Sequence, residues 1–147
     1  MLLAEDTRPR SAPSRNGLLV ILRGVNLNPG AEPDDMVSVR LWLESGRIIT
    51  TRRRQLQANG AIKAELEAGQ GPASPGEFLC MLVELIVDRI GEAVDELDTQ
   101  IDALEEVSAA HMVMAQRAQI TDLRRQIAHL RRFLAPQRDA LDRLVRQ

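Results

Sequence analysis

The chain has 147 residues, 44% hydrophobic and 27% charged, with a net charge of −2, which gives room for one domain with a real core. Its aromatic residues are Trp42, Phe78 and Phe133 alone, so the core must be Leu, Ile, Val, Met and Ala; this favours helices and argues against the stacking platforms of single-stranded nucleic-acid readers. A single cysteine, Cys80, excludes a disulfide framework and points to a reducing compartment, and no stretch approaches the roughly 18 apolar residues of a membrane span.

In chain order, residues 1–16 are polar, are punctuated by Pro9 and Pro13, do not form a signal peptide, and are expected to be irregular. Leu18 to Arg23 reads as a buried strand, and Asn26 to Asp35 is loop chemistry throughout. Met36 to Glu44 alternates, with Met36, Ser38, Arg40 and Trp42 on one face and Val37, Val39, Leu41 and Leu43 on the other. The turn Ser45-Gly46 leads to the β-branched run Arg47 to Thr51, which predicts a hairpin ending in Arg52-Arg53-Arg54. A short helix over Leu56 to Glu67 follows, weakened by Gly60 and stopped by Gly69-Gln70-Gly71-Pro72.

Ser74-Pro75-Gly76-Glu77 is a helix start, with Ser74 as N-cap, Pro75 at the first helical position and Glu77 closing the box. From there Leu79, Leu82, Val83, Ile86, Ile90, Val94, Leu97, Ile101 and Leu104 keep helical spacing. Ile120, Leu123, Ile127, Leu130, Leu134, Leu141 and Leu144 repeat the pattern on a second helix that contains Pro136. A reversal between Val107 and Gln116 is expected, because one straight helix would leave its stripe uncovered.

Charge is segregated along this hairpin. Between Glu77 and Glu106 there are ten acids against one base, Arg89; between Arg117 and Arg146 there are eight arginines against three acids. An antiparallel hairpin would set acid and arginine on either side of a shared leucine seam. Exposed pairs contribute only about 0.2–1 kcal/mol each, so the segregation selects the pairing more than it stabilises it.

Candidate chemistry is sparse. Cys80, His111 and His129 lack zinc-site spacing; Cys80 reads as a packed thiol and His129 as a helix-surface residue. Asp95, Asp98, Asp102 and Glu105, with His111 in the presumed turn, are weak candidates for holding a divalent cation, against the blander reading of a solvated face. Arg52-Arg53-Arg54 is read as a solvated strand end rather than a nucleic-acid contact. No nucleophile, phosphate loop or paired-carboxylate motif is visible, so no enzyme and no tightly bound cofactor are expected.

Four stretches together carry a family resemblance: Thr7-Arg8-Pro9-Arg10 before a strand; Leu19 to Asn28 followed by Met36 to Arg54; Ile101-Asp102-Ala103-Leu104-Glu105-Glu106; and Leu130 with Arg131-Arg132-Phe133-Leu134-Ala135-Pro136-Gln137-Arg138. In this order they resemble the cytoplasmic domain of the CorA-type divalent-cation transporters, in particular the ZntB-like zinc branch. The resemblance implies a homopentamer whose cytosolic αβα domains form a funnel, with two "willow" helices beside a long stalk that enters the first of two membrane spans of the inner membrane. Zinc or magnesium would be the transported ion. Leu130, Arg131, Arg132, Leu134, Pro136 and Arg138 would be the structural motif, with the three arginines as ion-pair partners. Stalk, spans and the family's Gly-x-Asn pore signature are absent from this sequence; Gly24-Val25-Asn26 has the letters but follows a strand, so the match is read as chance. The chain is accordingly expected to be a cytoplasmic segment of a larger transporter, and by itself a monomer or dimer.

The expectation is an α+β fold: an irregular segment (1–16), a partial sheet of two or three strands with a packing helix (17–72), and a long helical hairpin (73–147), all one cytosolic domain. Two rivals are an independent helical-hairpin adaptor that binds partner helices, and a small α+β enzyme, for which no pocket residues can be named.

Overall fold

β2 (Gly17–Gly24) and β3 (Val37–Glu44) are the most deeply buried stretches of the chain. They sit at the centre of a four-stranded antiparallel sheet of order β1-β2-β3-β4, with β1 (Arg10–Ser14) and β4 (Arg47–Arg52) as its edges. Register pairs Val20 with Leu41 and Leu22 with Val39, which gathers the branched side chains on one face. That face packs under α1 (Gln57–Glu67) and the first half of α2 (Pro75–Glu105), through Leu56, Ile62, Leu82 and Ile86. The computed structural model describes residues 7–106 and 113–146.

One expectation needs correction. The segment up to residue 16 is not irregular throughout, because Arg10 to Ser14 forms β1 and pairs with β2 from Arg10↔Ile21 to Ser14↔Gly17. Buried β2 would otherwise leave a row of backbone groups unpaired, and an edge strand tolerates both polar residues and Pro13. The sheet therefore has four strands rather than two or three. On β3 the alternation of the two faces does not separate a wet side from a dry one. Arg40 is 2% exposed, and Leu19, Ile21 and Arg23 on the same face of β2 are also buried.

Local signals explain the helix ends. Past the end of α1, Gly69 takes a left-handed φ of 73° and donates to Leu66 O, while Gln70 N donates to Glu65 O. These two bonds satisfy the last carbonyls in the Schellman arrangement. At the start of α2, Ser74 Oγ accepts from Glu77 N at 3.1 Å, the cap expected there, whereas Glu77 Oε2 does not close the box on Ser74 N but accepts from Ala73 N, one residue further back, at 2.8 Å. The third helix, α3 (Met114–Val145), runs on through Pro136, which removes one intrahelical hydrogen bond without ending the helix.

α2 and α3 are antiparallel. Leu104 lies near Ile120 and Leu123, Leu97 near Leu130, and Leu79 near Leu141 and Leu144. The peptide that joins them falls outside the described residues except for Glu106 and Val113, and so does His111.

Candidate functional site: the acidic and arginine-rich helix pair

Leu97, Leu104, Leu123, Leu130 and Phe133 form the seam, and Met36 from the β2–β3 loop plugs its sheet-side end. Of the six motif residues, Leu130 is buried and Leu134 and Pro136 are half-buried against the seam. Arg131, Arg132 and Arg138 are exposed. Arg138 reaches Asp139 of its own helix at 3.5 Å, and Arg132 lies over the Phe133 ring, 5.4 Å from its centroid. Arg125 engages a distant acid. Its Nη1 is 3.0 Å from Asp34 Oδ2 in the β2–β3 loop, and its Nη2 is 2.8 Å from Asp122. The Arg125 guanidinium, helped by Gln126, holds the Asp122 carboxyl below the usual carboxylate range.

Asp34 is the hub of this clip. Its side chain is 1% exposed, and His129 Nδ1 lies 2.8 Å from the same Oδ2. The β2–β3 loop is thereby fastened to α3 one turn at a time, through residues 125 and 129. A second clasp lies at the other end of α3. Gln137 Oε1 accepts from Arg23 N at 2.6 Å, and Gln137 Nε2 donates to Arg23 O at 3.0 Å. Continuing the β1–β2 register, position 23 would face position 8, where β1 has not yet begun. The Gln137 amide thus supplies the pairing that a longer β1 would have given. Arg23 fixes the same corner with its side chain, donating to Thr7 O and Met36 O and lying over Phe133 at 3.9 Å.

The weak metal candidates Asp95, Asp98, Asp102 and Glu105 are all exposed on α2. Among the described residues no group of three His, Cys, Asp or Glu side chains is placed to hold a metal ion. His129 stays partly exposed yet is committed to Asp34, which surface-helix reasoning missed. Cys80 is not the packed thiol expected; it is exposed at the rim of an apolar groove of about 680 Å³ lined by Val83, Leu141 and Leu144. Its position falls just outside the apolar stripe. Arg52, Arg53 and Arg54 are exposed, and Arg54 pairs with Asp35. Its guanidinium holds the Asp35 carboxyl below the ordinary range.

These features coincide with a known architecture. The family model described as "CorA-like Mg2+ transporter protein" matches residues 1–147. The chain belongs to this family. It is 45% identical over 148 residues to the divalent cation transporter CmaX of Pseudomonas aeruginosa, covering 99% of this chain and 45% of that protein. To the zinc transport protein ZntB of Pectobacterium atrosepticum it is 36% identical over 143 residues, 97% of this chain and 43% of the relative. The chain therefore spans less than half the length of these relatives. Full-length CmaX superposes with a TM-score of 0.89 at 43% identity, over 99% of this chain and 45% of that one. The ZntB cytoplasmic domain of Vibrio parahaemolyticus gives 0.85 at 28% identity, over 99% of this chain and 57% of that one. The α+β fold is that of this cytoplasmic domain. No helix of the described residues is long and apolar enough to cross a membrane.

Proposed function

We propose that this chain is the cytosolic assembly and regulatory portion of a divalent-cation transporter of the inner membrane, with zinc the favoured ion and magnesium the alternative. The observation that carries this reading is the match of nearly the whole chain, at a TM-score of 0.85, to a domain described as the cytoplasmic domain of ZntB. The zinc preference rests on the named zinc transport relatives. Its role is structural and electrostatic rather than enzymatic: it works as one cytosolic domain of a homopentamer, and the transported cation is cargo rather than a resident cofactor. The exposed acids of α2 supply the electrostatic part. Four carboxylates within three turns raise the local cation concentration at the cytosolic face, by the field of clustered like charge.

The test uses a chimera in which this chain replaces the matching segment of CmaX, with and without the substitutions Asp95→Asn, Asp98→Asn, Asp102→Asn and Glu105→Gln together. Cation uptake into proteoliposomes is expected to fall several-fold at low ionic strength and to recover toward the parent as salt screens the field. Uptake that is unchanged at low salt, with equal protein in the membrane, sinks the electrostatic role. The adaptor reading has no observation of its own in its favour.

A further inference from the structure

The two halves of the helical hairpin meet at a line of weakness. Leu97 lies beside Leu130, and Val83 beside Leu141. Counting six residues along each helix from the first pair arrives at Gly91 and Pro136; counting eight from the second arrives at Gly91 and Phe133. Gly91 and Pro136 are therefore level to within one turn. Both weaken a helix there. Pro136 has no N–H to give the carbonyl four residues back, and a glycine inside a helix is among the poorest helix formers. A Cβ at Gly91 would meet nothing within 4 Å, so packing around it does not ask for glycine. The same level is the border of two apolar clusters. Ile90 packs against both, with Leu82 and Ile86 on the sheet side and Leu97 and Leu104 on the other. The grip of the sheet on α3 starts one residue past the proline, where Gln137 clasps the Arg23 backbone and Ser11 Oγ donates to Ala140 O at 3.0 Å. Residues 92–105 and 114–135 lie beyond that border. Among the described residues they meet the sheet layer through the β2–β3 loop, at Met36 and where Asp34 joins Arg125 and His129. This last contact is a compromise. Arg125 and His129 both engage Asp34 Oδ2, while Asp34 Oδ1 is buried and has no hydrogen-bond partner. A dry carboxylate oxygen regains water when the contact opens, which offsets part of what closing it gains.

We propose that the hairpin beyond Ile90 is an arm hinged at Gly91 and Pro136, and that Asp34 with Arg125 and His129 is the latch that holds it against the β2–β3 loop. Opening the latch wets Asp34 and lets the arm swing as a unit. The sheet, α1 and the sheet-side ends of α2 and α3 keep their packing, because the Gln137 clasp and the Leu82–Ile86 cluster lie on the other side of the hinge. A change at the β2–β3 loop is thus read out as a displacement of the hairpin tip, and a pull on the tip is felt at the loop. The device rests on this chain's own contacts and does not depend on the transport reading.

The test is pulsed dipolar EPR on the 147-residue chain carrying C80S, spin-labelled at S45C in the β3–β4 turn and at A103C near the arm tip, both exposed positions. A second labelled pair, D95C and A118C, lies within the arm. The parent is expected to show one main S45C–A103C distance, with the open arm at about 5%. Asp34→Ala is expected to bring the open population to about half, a roughly twentyfold shift of the equilibrium, with the within-arm distance unchanged. R125A/H129A opens the same latch from its exposed side and is expected to do the same; it decides the matter should Asp34→Ala fold poorly. Adding G91A/P136A, which stiffens both helices at the hinge, is expected to cut the open population of either variant several-fold. An S45C–A103C distance that R125A/H129A leaves unchanged overturns the proposal. So does a within-arm distance that spreads along with it, which is melting rather than swinging, or an open population that G91A/P136A leaves undiminished.

Discussion

Near the sheet, α2 is held from below by β2 and β3 and from the side by α1; beyond Ile90 it leans, among the described residues, on α3 and the β2–β3 loop. The side chains record the difference. Leu82 and Ile86 are 0% and 2% exposed, whereas the distal Leu97 and Leu104 reach 7% and 9%, and Val94 is open to solvent. The proximal half derives its stability from a layered apolar core, while the distal half depends on one leucine seam and two polar fasteners. Charge is sorted most strictly in that thinly packed half, where hydrophobic burial alone would least determine which face meets which.

The sharpest way to break the contrast is a pair of truncations measured by urea unfolding. Ile86→Ala empties a site walled on every side and is expected to cost about 4 kcal/mol, whereas Leu104→Ala, beside an open groove that can relax, is expected to cost about 2 kcal/mol. Equal costs would erase the distinction between the two halves. Gln137→Ala comes next. It leaves the buried N–H and C=O of Arg23 without their partner, an expected loss of about 3 kcal/mol. Gln137→Glu keeps the acceptor but sets a carboxylate oxygen against the Arg23 carbonyl, so it should rescue little.

Arg125→Ala removes one of the two side-chain partners of the buried Asp34 carboxylate and is expected to accelerate hydrogen exchange in the distal half of α3 and not in β2. The smallest effect is that of Asp35. Arg54 lowers its pKa in the folded state, so its contribution is fully present above the unfolded carboxylate pKa of about 4 and is lost as pH falls through the lower folded value. The pair is largely exposed, so Asp35→Asn should remove less than about 1 kcal/mol at pH 7 and progressively less as pH falls below about 4.

The sequence made the long elements legible and the fasteners obscure. The start of α2 is written in Ser74, Pro75 and Glu77, and both apolar stripes are visible from their spacing. β1 was hidden because an edge strand needs no apolar alternation, so Arg10 to Ser14 carries no strand signature. Arg40 is buried on its strand, and nothing local in the sequence marks that face as covered. Gln137 did leave a trace. Leu123, Leu130 and Leu144 are spaced by multiples of seven with Gln137 in their row, and a polar residue inside a leucine row asks for a buried partner. Asp34 left none, because a carboxylate in a Pro-Asp-Asp loop reads as solvent-facing until the fold folds α3 over it.

The most direct measurement of the central claim is cation uptake by the CmaX chimera carrying this chain in place of its own matching segment, at 45% identity. Zinc or magnesium uptake comparable to that of the parent transporter is the result predicted for a chain that performs the cytosolic part of this machine. A chimera that inserts and assembles at the parent's size yet moves neither ion would contradict it.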